Sequence, residues 1–112
     1  MVTDYLKNIY EALSDKIAND IQIIKVSEIT TITDYIVIAD ASNTNQLDAI
    51  VDAVYDELAK VKIFPKASEG NKHSGWVLMD YNDVIVNLFT SEQRRFYNIE
   101  RIWQDGVEVN FE

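Results

Sequence analysis

Apolar residues first recur at helical spacing. Leu6, Ile9, Tyr10, Leu13 and Ile17 fall on one face, with Thr3 as the N-cap candidate. This predicts an amphipathic helix over residues 4–19, closed by Asn19-Asp20. The period then changes. Ile21, Ile23, Ile24 and Val26 form a β-branched run and predict a strand. A polar, threonine-rich turn from Ser27 to Thr33 leads into a second strand, Asp34 to Asp40. The centre of that strand is apolar at every position, which requires cover on both faces of a sheet.

Ala41 to Asn45 reads as a loop that starts a second helix, in which Leu47, Ile50, Val51, Val54, Tyr55 and Leu58 recur at helical spacing. Asp48, Asp52, Asp56 and Glu57 lie on its other face, a solvated acidic stripe. Pro65, the only proline, follows its end. Lys66 to Glu69 suits a short strand, and Gly70 to Gly75 a loop. Trp76 to Tyr81 and Val84 to Phe89 predict a hairpin around Asn82-Asp83, where asparagine tolerates left-handed backbone. Ser91 is expected to cap a short helix bearing Arg94, Arg95, Phe96 and Tyr97, with Glu100 to Trp103 as one more turn and Val107 to Glu112 as an extended tail. The sum is one α/β (α+β) domain over residues 1–112: a mixed sheet of about five strands flanked by helices.

Composition narrows the function. A chain of 112 residues supports one core, and 47% hydrophobic content excludes general disorder. With no cysteine there is no disulfide, thiol nucleophile or Cys-ligated metal. Ten basic residues stand against 19 acidic ones, a net charge of −9. Nucleic-acid binders carry a basic face, so direct DNA or RNA binding is not expected; a basic protein partner is. No apolar run approaches the roughly 20 residues of a membrane span. The opening residues lack a basic patch followed by an apolar core, so no signal peptide is expected and the cytoplasm is the expected location.

Candidate chemistry is sparse. Asp80 and Asp83 flank the hairpin turn, and Asp34 and Asp40 bracket a strand. Paired carboxylates suit a divalent cation or acid–base work, but turns also favour Asp and Asn for local backbone bonding. Gly70, Gly75 and Gly106 form no phosphate-cradling motif. His73, the single histidine, lies in a polar loop with no nucleophile elbow near it. No cofactor or metal is expected. Trp76 and Tyr81 fit two readings, core residue or half-wet interface anchor, whereas Trp103 leans to the core beside Ile99 and Ile102.

Several segments together resemble a known family. Thr33 to Ala39 (TDYIVIA) is similar to S/T-D-Y/F-x-V-I-A, Gln46 fits the start of the second helix, and Glu69-Gly70 fits an E-G pair. Trp76 to Phe89 (WVLMDYNDVIVNLF) resembles W-x-L-x-D-Y-G-D-(V/I)-(V/I)-V-H-x-F, and Phe96-Tyr97 with Glu100 to Trp103 closes the pattern. On these motifs the chain resembles the ribosomal silencing factors of the Iojap family over residues 4–106. The resemblance implies a nucleotidyltransferase-like sheet without the active site, and homodimers. It implies binding to ribosomal protein fourteen of the large subunit (uL14), which blocks joining of the two ribosomal subunits and represses translation when nutrients are scarce. The partner contacts it implies are Trp76, Leu78, Asp80, Tyr81 and Asp83. Asn82, Asn87 and Asn45 depart from its usual glycine, histidine and arginine.

Strand alternation places Trp76, Leu78 and Asp80 on one face and Tyr81 on the other, so Tyr81 joins such a patch only if the strand turns there. Two rival readings are a metal-dependent nucleotidyltransferase-like enzyme using Asp80 and Asp83, and a dimeric scaffold that holds another partner on its acidic helix stripe.

Overall fold

The computed structural model describes residues 2–111, with side chains from Tyr5 onward. Helix α1 (Val2–Asp15) leads into strands β1 (Asn19–Lys25) and β2 (Tyr35–Ala41), then helix α2 (Thr44–Ala59) and the short strand β3 (Ala67–Glu69). Strands β4 (Trp76–Asp80) and β5 (Val84–Thr90) form the hairpin. Helix α3 (Ser91–Tyr97), one 3-10 turn (Ile99–Arg101) and strand β6 (Val107–Glu108) complete the described chain. The sheet order is β3-β4-β5-β2-β1-β6. Only the central β2–β5 pair is parallel; the others are antiparallel.

The expected α+β mixed sheet is present, with six strands rather than about five. The extra one forms where Val107 and Glu108 pair with Lys25 and Ile24. The first helix stops earlier than its apolar spacing suggests. Ile17 takes left-handed backbone (φ 59), and the Ala18 N–H donates to the Leu13 carbonyl at 3.0 Å, a bond that closes the last turn. Ile17 is therefore exposed, and Asn19-Asp20 open β1 instead of ending the helix. Thr3 lies inside α1, not ahead of it; its side chain lies outside the described residues.

Alternation divides the sheet into two faces. One carries Ile23, Val37, Ala39, Val77, Met79, Val86 and Leu88, and is covered by Leu6, Ile9 and Leu13 of α1 and Leu47, Ile50, Val54 and Leu58 of α2. The other carries Ile24, Ile36, Ile38 and Phe89, covered by Ile99 with Trp76 and Trp103 packed at the margin. A single core of this mass leaves roughly 6,300 Å² exposed, and the surface here is 6542 Å².

Candidate docking surface

The hairpin is held from both strands and from outside. Asn82 sits at φ 74, the left-handed backbone its side chain tolerates. The Tyr81 N–H donates to the Val84 carbonyl at 2.8 Å, and the Thr33 hydroxyl donates to the Asn82 carbonyl at 3.0 Å. The N–H groups of Asp34 and Tyr35 both reach the Asp83 carbonyl at 3.1 Å. Asp80 contributes locally as well, its Oδ1 accepting from the Asn82 N–H at 2.8 Å. The turn is thus tied to the entrance of β2, and Asp83 is presented at a fixed tip.

The five implied contact residues do not form one surface. Trp76, Leu78 and Asp80 share a face of β4 and are each half-buried. Asp83 is half-buried at the turn. Tyr81 points to the opposite side, is 6% exposed, and belongs to the core beneath α1 and α2. The chain does not turn enough at position 81 to bring its ring round. Burial, and next the nearby Tyr55, push the Tyr81 phenol upward, and its hydroxyl has no hydrogen-bond partner within the protein.

Trp76 is fixed by its neighbours. Its indole N–H donates to Asn87 Oδ1 at 3.2 Å, so the asparagine at this strand position orients a ring. The indole stacks on Phe89 with centroids 5.0 Å apart, and Tyr97 lies 4.7 Å away at 48°. Phe96 meets Tyr97 edge-on at 5.1 Å and is 76% exposed. The surface therefore runs from β4 across to α3, a width not apparent from the strand alone. The Phe96-Tyr97 pair ending a short helix is the sequence signal that could have marked it.

Helix α3 is placed by a buried polar network. Thr90, not Ser91, is its N-cap, accepting from the Gln93 N–H; Ser91 instead donates to Asp40 Oδ1 at 2.7 Å. Arg94, 8% exposed, pairs through Nη1 with Asp40 Oδ2 at 2.9 Å and donates to the Asp20 carbonyl at 2.7 Å. Its Nε reaches Glu100 Oε2 at 3.2 Å. One guanidinium thus ties α3 to β1, β2 and the 3-10 turn. After Tyr97, Asn98 (φ 46) ends the helix in left-handed backbone. Ile99 then turns inward while Ile102 stays exposed, and Trp103 is half-buried against the smaller core.

Asp34 lies beside the hairpin and Asp40 in the Arg94 network, so the two do not converge. His73 is exposed, in a loop where the Asn71 side chain accepts from its N–H. Among the described residues no three His, Asp or Glu side chains cluster as a metal-binding group. No helix there is long and apolar enough to cross a membrane.

Fold and surface together define a small mixed-sheet α+β domain with an acidic–aromatic face beside a tied hairpin. The family model described as "Ribosomal silencing factor during starvation" matches residues 2–112, and the chain belongs to that family. It is 34% identical to the ribosomal silencing factor RsfS of Bacillus subtilis over 90% of this chain and 86% of that one. It is 35% identical to RsfS of Zymomonas mobilis over 92% and 77%, and 34% identical to the chloroplastic protein Iojap of Arabidopsis thaliana over 86% and 40%. A crystal structure from Chromobacterium violaceum superposes with a TM-score of 0.89 at 28% identity, covering 99% of this chain and 92% of that one.

Proposed function

We propose that this chain docks on ribosomal protein fourteen of the large subunit through the face of Trp76, Leu78 and Asp80, with Asp83 at its edge. Tyr81 supports that face from beneath and does not touch the partner. The carrying observation is the half-covered sheet face: rigid, partly wet aromatic rings beside carboxylates on a chain of net charge −9. Aromatic anchors of this kind dominate interface energetics, and carboxylates at the rim favour a basic partner.

Silencing follows without chemistry. A body of 34 × 32 × 28 Å on the joining face obstructs the small subunit by its bulk. The protein acts in the cytoplasm under this reading, as a homodimer when free, and represses translation without catalysing a reaction. Light scattering over a dilution series tests the dimer; one-chain mass throughout removes it.

The main test is subunit joining from purified subunits, read by sucrose-gradient sedimentation. The wild-type chain should lower the yield of joined ribosomes, and rising salt should weaken the effect. Asp80→Asn keeps the oxygen that caps Asn82 and removes the charge. Losing one charge-assisted bond of about 1.5–3 kcal/mol should weaken the block roughly ten- to a hundredfold. Leu78→Lys should act similarly by setting a positive charge against a basic partner. If both variants keep their far-UV circular dichroism and still block joining fully, the face is wrong, and Asp48, Asp52 and Asp56 on α2 become the docking surface.

A further inference from the structure

We infer that the pocket between β4 and α3 receives one long basic side chain, an arginine or a lysine, from the protein partner. The inference rests on the docking reading above and assigns the chemistry of the pocket within that face. The pocket is lined by Glu69, Gly70, Ser74, Trp76, Leu78 and Tyr97 and holds about 230 Å³. That is below the roughly 300–1,000 Å³ of sites that enclose a small molecule, and it suits one side chain.

Its walls select a cation with an apolar stem. Leu78 and the two aromatic rings give a surface for methylenes, and ring faces attract ammonium and guanidinium groups. Glu69 pairs directly with Leu78 across the β3–β4 ladder, so both side chains leave the sheet on the same face. Its exposed carboxylate therefore stands at the mouth. No lining residue is basic. The Ser74 hydroxyl is already used, its one proton lying between the Asn71 and Trp76 carbonyls, 2.8 and 3.0 Å away. An anion would find a carboxylate and π faces and nothing to hold it.

The pocket is also built before the partner arrives. Gly70 has φ +85, and a Cβ there would lie 2.0 Å from the Trp76 carbonyl oxygen, so only glycine lets the loop close this end. The Asn87 bond and the Phe89 stack lock Trp76, and the Arg94 network holds the helix that carries Tyr97. Little ordering remains to oppose binding.

Two measurements on the full chain test this. The first titrates butylguanidinium, with butyrate as control, against the Trp76 indole N–H signal in nuclear magnetic resonance spectra. A saturable shift with butylguanidinium, absent with butyrate and weakened in Glu69→Gln, is expected. No shift, or an equal shift in Glu69→Gln, overturns the inference. The second compares binding to purified large ribosomal subunits. Glu69→Gln and Tyr97→Leu should each weaken it about five- to twentyfold, and Glu69→Gln should flatten its salt dependence. If the wild-type chain binds subunits and both variants bind equally well, the pocket is not used and the inference falls. If the variants shift the self-association mass instead, the occupant is a second copy and the inference also falls. A wild-type chain that takes butylguanidinium but ignores large subunits breaks the docking reading while leaving the pocket's cation selectivity standing.

Discussion

The two faces of the sheet are built from the same strands and held by different physics. Among the described residues, 18 buried ones form one apolar cluster under α1 and α2; on the opposite face only six do. On the first face hydrophobic burial dominates, and a polar tie between its helices lies at their edge, where the Gln46 amide of α2 donates to the Lys16 and Ile17 carbonyls at 3.2 and 3.1 Å just past α1. The second is closed by a seven-residue helix and a 3-10 turn, too short to bury much. It substitutes a buried ion pair and an aromatic stack, and leaves Trp76, Leu78 and Tyr97 partly wet. Economy of cover on one side is what leaves the half-wet rings on which the proposed docking rests.

If this contrast is right, the largest losses of stability differ in kind. Asp40→Ala takes the nearer of two carboxylates from the Arg94 guanidinium, in a site where Asp40 and Arg94 are both under a tenth exposed, and leaves Glu100 as its remaining counter-charge. Such a broken pair should destabilise by about 3–5 kcal/mol in urea unfolding. Asp40→Ala combined with Arg94→Met and Glu100→Gln should recover part of that loss, because no member of the network then carries an unpaired charge. A triple variant no better than Asp40→Ala alone would mean the network stabilises by geometry rather than charge compensation. On the helical face, Leu58→Ala or Ile50→Ala should cost about 2–5 kcal/mol through lost burial and a cavity. These variants should leave binding to large subunits intact if the two faces are independent.

This asymmetry explains what was legible in the sequence. Periodicity located α1, α2, β2 and the hairpin because each has a strong apolar signal. It read Val107 to Glu112 as extended but did not place Val107 and Glu108 in the sheet, because both are exposed and join it only through tertiary pairing. Nor did it end α1 at Asp15, since Ile17 fits the apolar register and only its left-handed backbone removes it. On the site, alternation correctly separated Trp76, Leu78 and Asp80 from Tyr81. The Arg94–Asp40 pair was invisible because its members lie 54 positions apart and each alone looks like a surface charge. Glu69 and Tyr97 become neighbours of Trp76 only through β3 pairing and the seat of α3.

Tyr81 gives a sharper test of the division with a smaller effect. Its ring is core and its hydroxyl has no protein partner. Tyr81→Phe should therefore keep the fold and be neutral or stabilising by up to about 1 kcal/mol. It should also leave the subunit-joining block unchanged. A folded Tyr81→Phe protein that loses the block would return this residue to the docking surface. Tyr81→Ala is not a clean probe, because it opens a core cavity.

The smallest effect lies where α1 meets the hairpin and appears only in alkali. Burial first, then the Asp83 and Asp34 carboxylates, push the Tyr5 phenol from its ordinary value of 10.0 up to about 12. Both causes disfavour the phenolate. Between these values the folded chain keeps this proton while the unfolded chain releases it, so the unfolded state binds fewer protons. Stability therefore falls as pH climbs through that window and is fully present below it. Tyr81 shifts in the same direction, so the wild-type slope alone does not isolate Tyr5. Tyr5→Phe removes one titrating group and keeps the ring. Its urea midpoint should fall less steeply than that of the wild type between about pH 10 and pH 12, and the two should run parallel near neutrality. Identical slopes across the alkaline range would mean that the Tyr5 phenol is neither buried against α1's neighbours nor held beside those carboxylates, and that its proton is released as readily in the folded chain as in the unfolded one.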